Sequence, residues 1–544
     1  MLLTTLQLRP GAELPLYRQL IKLIKEEIQK GGLSAGTKLP SIRVLAQALG
    51  VSRITVENSY TQLLDEGYLI SRPKQGYFVA DVRGLEDLSL AGSGGKKLPE
   101  QANGTASPGG RGTAGGGFSE TGPEVPEALS PDRRERAGTA HRSAPASLHD
   151  TPPRYNFRSN AVDSESFNAP VWRRYMNHAL KQQELLASYG PAQGEERLLY
   201  TLAKYSFEAR DVQCRPEQIV VGAGTQSLLH ILCGILQSDE SRHFDAVGLP
   251  FGFLLAEQIF RDHHYRLLPF HFPDIRRPAA DPELGLVCCN PSNPYRSGSL
   301  PAALRLSLLR WAQRQNILIL EDDYIGEFRY LSRPFPSLQS LSGGDGVIYL
   351  GSFSRTMLPS LRISYMVLPP SLLPAYQKIR DRYNQTASGM EQLALADFIA
   401  DGHLNRHIRR LRRLYGAKNQ LLRQAIGRCF PQNVTVTDYE GALRLLLLVD
   451  SPLSAEELAG LAQGAGLAVI PLPPEIAEEN RGFGGFSSGG PGSGSLPQIM
   501  LSYAGIPEKD ILPAVQALAR AWNPVLGRGK SRPETPEQRS GKKR

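Results

Sequence analysis

Two groups of residues in this chain have the types and spacing to do chemistry. The first is a set of four polar clusters, each following an apolar run: Asn290-Pro291-Ser292-Asn293-Pro294, Glu321-Asp322-Asp323-Tyr324, Gly351-Ser352-Phe353-Ser354 and Leu361-Arg362-Ile363-Ser364-Tyr365. Residues just past the C-terminal ends of strands line a common crevice in an α/β sheet, so four such clusters in one domain predict a ligand site. The second group lies near the N-terminus. Ser41 stands after Leu39-Pro40 as an N-cap, and Gly50-Val51-Ser52 forms a tight turn in which Ser52 caps the next helix. Arg53 and Thr55 then fall in the first turn of that helix, where a helix-turn-helix reaches base edges and phosphates.

The periodicity of the chain supplies the elements that must hold these groups. Leu16, Leu20, Ile24 and Ile28 recur at helical spacing, as do Leu45 and Leu49, then Val56, Tyr60, Leu63 and Leu64; three short amphipathic helices are expected. Leu69 to Ser71 and Tyr77 to Val79 flank Pro73-Lys74-Gln75-Gly76, a hairpin with a basic tip that reads as a wing. Farther on, short β-branched runs at Ile219 to Val221, Ala246 to Leu249, Leu286 to Cys289, Ile317 to Leu320, Val347 to Leu350 and Ile363 to Val367 alternate with longer amphipathic segments. That alternation predicts an α/β domain with a mainly parallel sheet. Gly pairs and triplets with scattered Pro and few large apolar residues mark residues 81–153 as a long flexible linker, because such a composition cannot offset chain entropy. The expected organisation is a head at 10–80, this linker, a domain at 154–526 with a Gly/Ser insertion at 482–495, and a basic disordered tail at 527–544.

Composition narrows the function classes. The 544 residues are 41% hydrophobic and 21% charged, which excludes wholesale disorder and a collagen-like or disulfide-rich chain. No run approaches the ~18 apolar residues of a membrane span, and the first residues lack an export signal, so a cytoplasmic protein with no membrane partner is expected. The five cysteines are odd in number and form no Cys-x-x-Cys pair, which fits reduced thiols and no metal site. Of the net charge of +9, residues 1–80 hold 10 Lys/Arg against 6 Asp/Glu, and the last 18 residues hold 7 against 2. Basicity therefore lives at the two ends, and the terminal Lys542-Lys543-Arg544 reads as a solvated terminus.

The literal residues add a resemblance. Pro15-Leu16-Tyr17-x-Gln19-Leu20, Leu39-Pro40-Ser41-x-Arg43-x-Leu45-Ala46, Gly50-Val51-Ser52-Arg53-x-Thr55-Val56 and Glu66-Gly67-Tyr68-Leu69 closely resemble the GntR family of winged-helix regulators over residues 14–80. The resemblance implies that Arg43, Arg53 and Lys74 contact double-stranded operator DNA, with Ser41, Ser52, Thr55 and Gly76 approaching phosphates. The four strand-end clusters, in their order, resemble the fold-type I aminotransferases, whose cofactor is pyridoxal 5′-phosphate (PLP). Behind a GntR-type head they resemble the MocR/GabR group of bacterial regulators, and Gly190-Pro191-Ala192-x-Gly194, Arg210-Asp211-Val212 and the stretch from His407 to Tyr415 extend the match. The implied architecture is a PLP-transferase-like domain with a smaller C-terminal α+β subdomain, in a homodimer. By the same resemblance, Asp322 pairs with the pyridinium nitrogen and Tyr324 and Asn293 hydrogen-bond the ring hydroxyl. Gly224, Thr225 and Gln226 at a helix start, with Arg362 and Ser352 or Ser354, cup the phosphate, and Phe251 or Phe253 stacks on the ring.

The departure from the family is central. Members read Ser-Phe-Ser-Lys, and that lysine forms the Schiff base with the cofactor aldehyde; here the residue is Arg355. A guanidinium stays charged and its nitrogens are delocalised, so it cannot attack a carbonyl. No lysine lies between Lys204 and Lys378 to replace it. Met500 stands where aminotransferases place an arginine for the substrate carboxylate, and Gly441-Ala442-Leu443-Arg444 stands where the group has Gly-x-x-His. The expectation is a DNA-binding regulator, not an enzyme, that senses a small-molecule effector through noncovalent PLP or a PLP adduct. An empty or repurposed pocket, with Arg355 and Arg362 gripping another anion, is the alternative; an active aminotransferase is disfavoured by Arg355.

Overall fold

The computed structural model describes residues 8, 16–29, 32–34, 36–65, 68–72, 76–79, 152–250, 252–271, 275, 279, 281–291, 302–328, 336–436, 443–474, 476 and 496–526. The linker through residue 151, the insertion at 482–495, the tail from 527, and Lys74, Phe251 and Asn293 lie outside the described residues.

The head is three helices and a hairpin: α1 (Leu16–Gln29), α2 (Ile42–Leu49), α3 (Arg53–Asp65), β1 (Leu69–Arg72) and β2 (Gly76–Val79). The predicted apolar stripes meet, with Leu20, Ile24, Leu45, Val56, Tyr60 and Leu63 fully buried in one cluster that also takes in Leu69 and Val79 of the hairpin. Ser41 caps α2 by accepting the Val44 N–H, and Gly50 closes that helix in the left-handed region at φ 65°. A non-glycine residue would be strained there. Strand β2 pairs antiparallel with β1, and the Tyr60 hydroxyl donates to the Pro40 carbonyl at 2.9 Å, tying α3 to the segment that enters α2.

The larger part is built on a seven-stranded sheet. Its strands are β4 (Ile219–Gly222), β5 (Ala246–Leu249), β6 (Arg266–Pro269), β7 (Leu284–Cys289), β8 (Leu318–Asp323), β9 (Val347–Ser352) and β10 (Ser364–Val367), in the spatial order β4-β10-β9-β8-β7-β5-β6. All neighbours run parallel except β10, which is antiparallel to both β4 and β9. Each predicted strand is present; β6 is an addition, its Arg266-Leu267-Leu268-Pro269 being too short and too mixed to stand out by pattern. Helices Thr225–Ser238 and Leu254–Asp262 cover one face of the sheet, with Val220, Leu286, Leu320 and Ile348 in the shared core. Helices Glu196–Arg210 and Gly389–Ala400 pack with Ile219, Val221, Tyr349 and Tyr365 in the cluster on the other face.

Two sequence placements are corrected. Arg362 does not follow a strand; it precedes β10. Because β10 runs antiparallel, its N-terminal end lies at the same edge of the sheet as the C-terminal end of β9, so the residue still faces the crevice edge. Glu321, Asp322 and Asp323 likewise do not follow β8 but form its last three residues.

The C-terminal subdomain has a four-stranded sheet of β11 (Val434–Val436), β12 (Arg444–Val449), β14 (Ile470–Pro471) and β15 (Gln498–Ser502), ordered β11-β12-β15-β14. The long helix His403–Cys429 and the helix Glu508–Trp522 pack with this sheet in one cluster that includes Leu445, Leu447, Leu501 and Trp522. A short strand β3 (Tyr155–Asn156), where the chain resumes after the linker, pairs in parallel with β13 (Leu467–Ala468).

Candidate ligand site and nucleic-acid interface

In the head, the turn before α3 is held by its own hydroxyls. Ser52 accepts the Thr55 N–H at 3.1 Å, and the two hydroxyls lie 2.9 Å apart. Arg43, Ser52 and Arg53 are exposed, as is Ile54 at 68%, an apolar side chain beside the two polar ones that composition did not single out. Gly76 opens β2 at φ 103°. The first turns of α2 and α3 thus carry exposed cations and hydroxyls, the equipment for phosphate and base-edge contact.

The strand-end crevice of the large sheet has two chemically opposite ends. At one, the helix Thr225–Ser238 starts on Gly224 (φ 86°), which as a glycine offers no side-chain cap to the first N–H groups, the position at which a helix start receives an anion. Arg362, itself at φ 52°, donates from Nη2 to the Ala223 carbonyl at 3.4 Å, and a Cβ on Gly224 would collide with its guanidinium. The backbone at this position favours glycine, and a Cβ there would displace the Arg362 guanidinium. Ser364 Oγ donates to Ser352 Oγ at 3.0 Å, and Ser352 Oγ to Ser354 Oγ at 3.2 Å, so three hydroxyls chain together there.

At the other end, three consecutive carboxylates are buried and point alternately. Glu321 accepts the N–H groups of Leu338 at 2.9 Å and Gln339 at 3.1 Å. Asp323 accepts from Arg210 Nε at 2.5 Å and from the Tyr349 hydroxyl at 3.0 Å. Glu327, buried beside them, accepts from the Tyr205 hydroxyl at 3.0 Å; burial and the nearby Asp323 raise both Glu321 and Glu327 above the carboxylate range. The carboxyl of Asp322, on the opposite side of the strand, has no hydrogen-bond partner among the described residues. Burial, then the charges of Asp323 and Glu321, pushes it up to about 7. A carboxyl so placed is stabilised as an anion by a cation brought to it. Tyr324 follows, half-buried against the subdomain core, and Phe253 packs on the apolar cluster under the helix that it precedes.

Arg355 lies three residues beyond the end of β9 and is bound to the segment that enters the domain. It is 8% exposed, and its Nη2 donates to Asn160 Oδ1 at 2.6 Å while Nη1 donates to the Asn160 carbonyl. Arg444, 6% exposed, reaches the same Oδ1 from Nη2 at 2.7 Å. The surrounding segment is tied down on both sides. Ser502 donates from its hydroxyl to the Ser159 carbonyl at 2.8 Å, and the fully buried Lys418 donates to Asp163 at 2.6 Å and to the Ala504 carbonyl at 2.9 Å. Neither Asn160 nor Lys418 was signalled by motif or period. Met500 is fully buried in an apolar cluster with Leu446, Leu472 and Ile476, which leaves it no polar role. Register puts Arg444 opposite Ser502 and Leu446 opposite Met500, so these four side chains share one face of the sheet.

Among the described residues no group of three or more His, Cys, Asp or Glu could hold a metal, and no helix is long and apolar enough to cross a membrane.

Comparison with known proteins matches both parts of the chain. Residues 16–79 match the model of bacterial regulatory proteins of the gntR family, and residues 154–481 match that of class I and II aminotransferases. The HTH-type transcriptional regulator YdeL of Bacillus subtilis is 32% identical over 94% of this chain and 97% of its own. The rhizopine catabolism regulatory protein MocR of Rhizobium meliloti is 31% identical over 94% of each. Among solved structures, LysN, the α-aminoadipate aminotransferase of Thermus thermophilus complexed with N-(5′-phosphopyridoxyl)-L-leucine, is 24% identical. It superposes at a TM-score of 0.55 over 68% of this chain and 92% of its own, a likeness of fold.

Proposed function

From a chain that belongs to the family of transcription regulators joining a gntR-type winged helix to a class I and II aminotransferase domain, we propose that the aminotransferase-like domain holds PLP, or a PLP adduct of an amino acid, without a covalent bond, and reports it to the DNA-binding head of a homodimer. The observation that supports this reading is the gathering of Gly224, Arg362, Ser352 and Asp322 at the strand-end edge of the sheet, with Arg355 where the resemblance places the Schiff-base lysine.

The residues fit the cofactor at both ends. Gly224, where a Cβ would push the Arg362 guanidinium aside, leaves the helix start open to a phosphate, and Arg362, Ser352 and Ser354 add charge and hydroxyls. Asp322, desolvated and pressed by two neighbouring carboxylates, receives a pyridinium nitrogen as its counter-charge. Bound PLP supplies an aldehyde and an electron-withdrawing ring. Arg355 supplies no amine to that aldehyde, and its guanidinium is held on Asn160, so neither covalent attachment nor proton shuttling falls to it. Transamination is therefore not the activity. In the head, Arg43, Arg53 and Lys74 contact the operator, with Ser41, Ser52, Thr55 and Gly76 at its phosphates. An effector that favours one arrangement of the domain shifts the heads by its difference in affinity between the two arrangements.

The test is to load the protein with PLP, remove the excess, and follow absorbance and bound phosphate through borohydride reduction, alongside Arg355→Lys. Retained PLP that borohydride fixes to the variant and not to the wild type is expected. No retention would favour a pocket repurposed for another anion, and fixation to the wild type would overturn the argument from Arg355.

A further inference from the structure

We propose that one face of the long helix His403–Cys429, carrying Arg406, Arg409 and Arg413 with Arg174 of the helix Ala169–Ala179 beside them, is a second nucleic-acid contact, which takes the phosphate backbone of duplex DNA flanking the sequence read by the head. The inference rests on the reading of the chain as a DNA-binding regulator, and the short duplex in the test below reports on that reading separately.

The charge of the large domain is unevenly placed. Residues 154–526 hold 37 Lys/Arg against 35 Asp/Glu, close to balance. Within them, the 27 residues of the helix His403–Cys429 carry eight Lys/Arg and no Asp or Glu. Leu404, Ile408, Leu411, Tyr415 and Leu422 form its buried side. At about 100° per residue, Arg406, Arg409 and Arg413 fall within about 60° of one another on the opposite side, and all three are exposed. Arg174, also exposed, adjoins them: burial, then Arg406 and Arg174, lowers His403 below the usual histidine range.

The carboxylates nearby are already engaged. Asp397 accepts from Arg197 at 2.5 Å, and Asp401 accepts from the Tyr175 hydroxyl at 2.5 Å. Arg406 reaches only the carbonyl of Asp401, from Nη2 at 2.9 Å. Arg410 marks the edge of the face, because it donates to the Ser166 carbonyl and shares a cavity with Asp163, Glu165 and Glu508. None of Arg406, Arg409 and Arg413 forms an ion pair with a described residue. A solvated helix face is ordinarily laced with opposite charges three and four positions apart, and like charges at those spacings repel. The counter-charge that this face lacks must come from outside the chain.

Duplex DNA fits it best. The helix advances about 1.5 Å per residue, so the three arginines span about 10 Å, over which one strand of a duplex presents about three phosphates. No exposed large apolar side chain lies between Arg406 and Arg413, whereas the core of a protein interface requires one. Guanidinium forks are suited to phosphate oxygens, and a contact of this kind adds affinity without reading sequence.

The test uses the full chain and a binding sequence selected from a random library, placed at the centre of duplexes of about 24 and about 70 base pairs, the shorter covering two half-sites. The wild type should bind the longer duplex about tenfold more tightly, with a slope of log affinity against log salt steeper by two to three, roughly one per arginine. Arg406→Gln, Arg409→Gln and Arg413→Gln together should remove both differences while binding the short duplex as the wild type does, which reports that the head and the fold are intact. Removing the same charge elsewhere, by Arg261→Gln, Arg314→Gln and Arg382→Gln together, should leave both differences in place. Equal affinity and slope for the two duplexes in the wild type, or a length effect that survives the first triple variant or vanishes in the second, overturns the proposal. Equal duplex binding with poly-L-glutamate retained by the wild type and not by the first triple variant would assign the face to an acidic protein instead. If no sequence can be selected, the reading of the head fails, and the face is judged on an unselected duplex of about 70 base pairs: weaker binding by the first triple variant than by the second supports it, and equal binding overturns it.

Discussion

Asp322→Asn separates the electrostatic account of the crevice from a purely steric one. Burial and two neighbouring carboxylates move Asp322 from an ordinary 3.8 to about 7. The folded state therefore binds this proton more tightly than the unfolded chain does, and stability is lost as the pH rises from near 4 through 7. At about 1.4 kcal/mol per tenfold change, folding this carboxyl costs roughly 2 kcal/mol at pH 5.5, where it must take up a proton, and about 4 kcal/mol at pH 8, where it stays ionised. Asparagine has nearly the same shape and no charge, so the variant without PLP should be more stable than the wild type by a margin that grows by about 2 kcal/mol between those two values. Urea unfolding followed by tryptophan fluorescence at each pH measures that growth. PLP should then stabilise the wild type more than the variant, because only the wild type offers an anion to the pyridinium. A margin that stays constant with pH would refute the reasoning, since any steric or hydrogen-bonding effect of the substitution is blind to pH.

Three further outcomes are expected. Arg210→Met leaves Asp323 buried without its guanidinium, so it should lower stability at pH 7 by about 3–5 kcal/mol and reduce the unfolding temperature in calorimetry; loss within experimental error would mean that Tyr349 suffices for Asp323. Gly224→Ala places a Cβ against the Arg362 guanidinium at a positive φ, and should cut PLP retention at least tenfold in equilibrium dialysis while operator binding in the absence of ligand stays at the wild-type level. Arg53→Ala should weaken binding to DNA selected from a random library by about 1–3 kcal/mol, and Lys74→Ala should reduce the slope of log affinity against log salt by about one; titrations at several salt concentrations check both, and unchanged affinities would sink the winged-helix interface.

The sequence by itself determined the parts of this protein whose causes are local. Helix periods, the Ser41 and Ser52 caps, the Gly50 turn and the apolar runs of the sheet are set by residues within a turn or a strand of one another, and all reappear in the fold. The strand-end clusters were legible for the same reason, because a parallel sheet gathers the ends of its strands at one edge whatever their separation in the chain. The short strand β6 was not legible, since its pairing with β5 gives it the extended form that its own residues do not demand. Nor was the direction of β10, which decides that Arg362 reaches the crevice from the start of a strand. Only the tertiary structure could bring Arg355 and Arg444 to Asn160, across sequence separations of 195 and 284 residues, or bury Lys418 against Asp163. A guanidinium reads alike in the sequence whether it faces water or a buried amide; packing alone decides what it can bind.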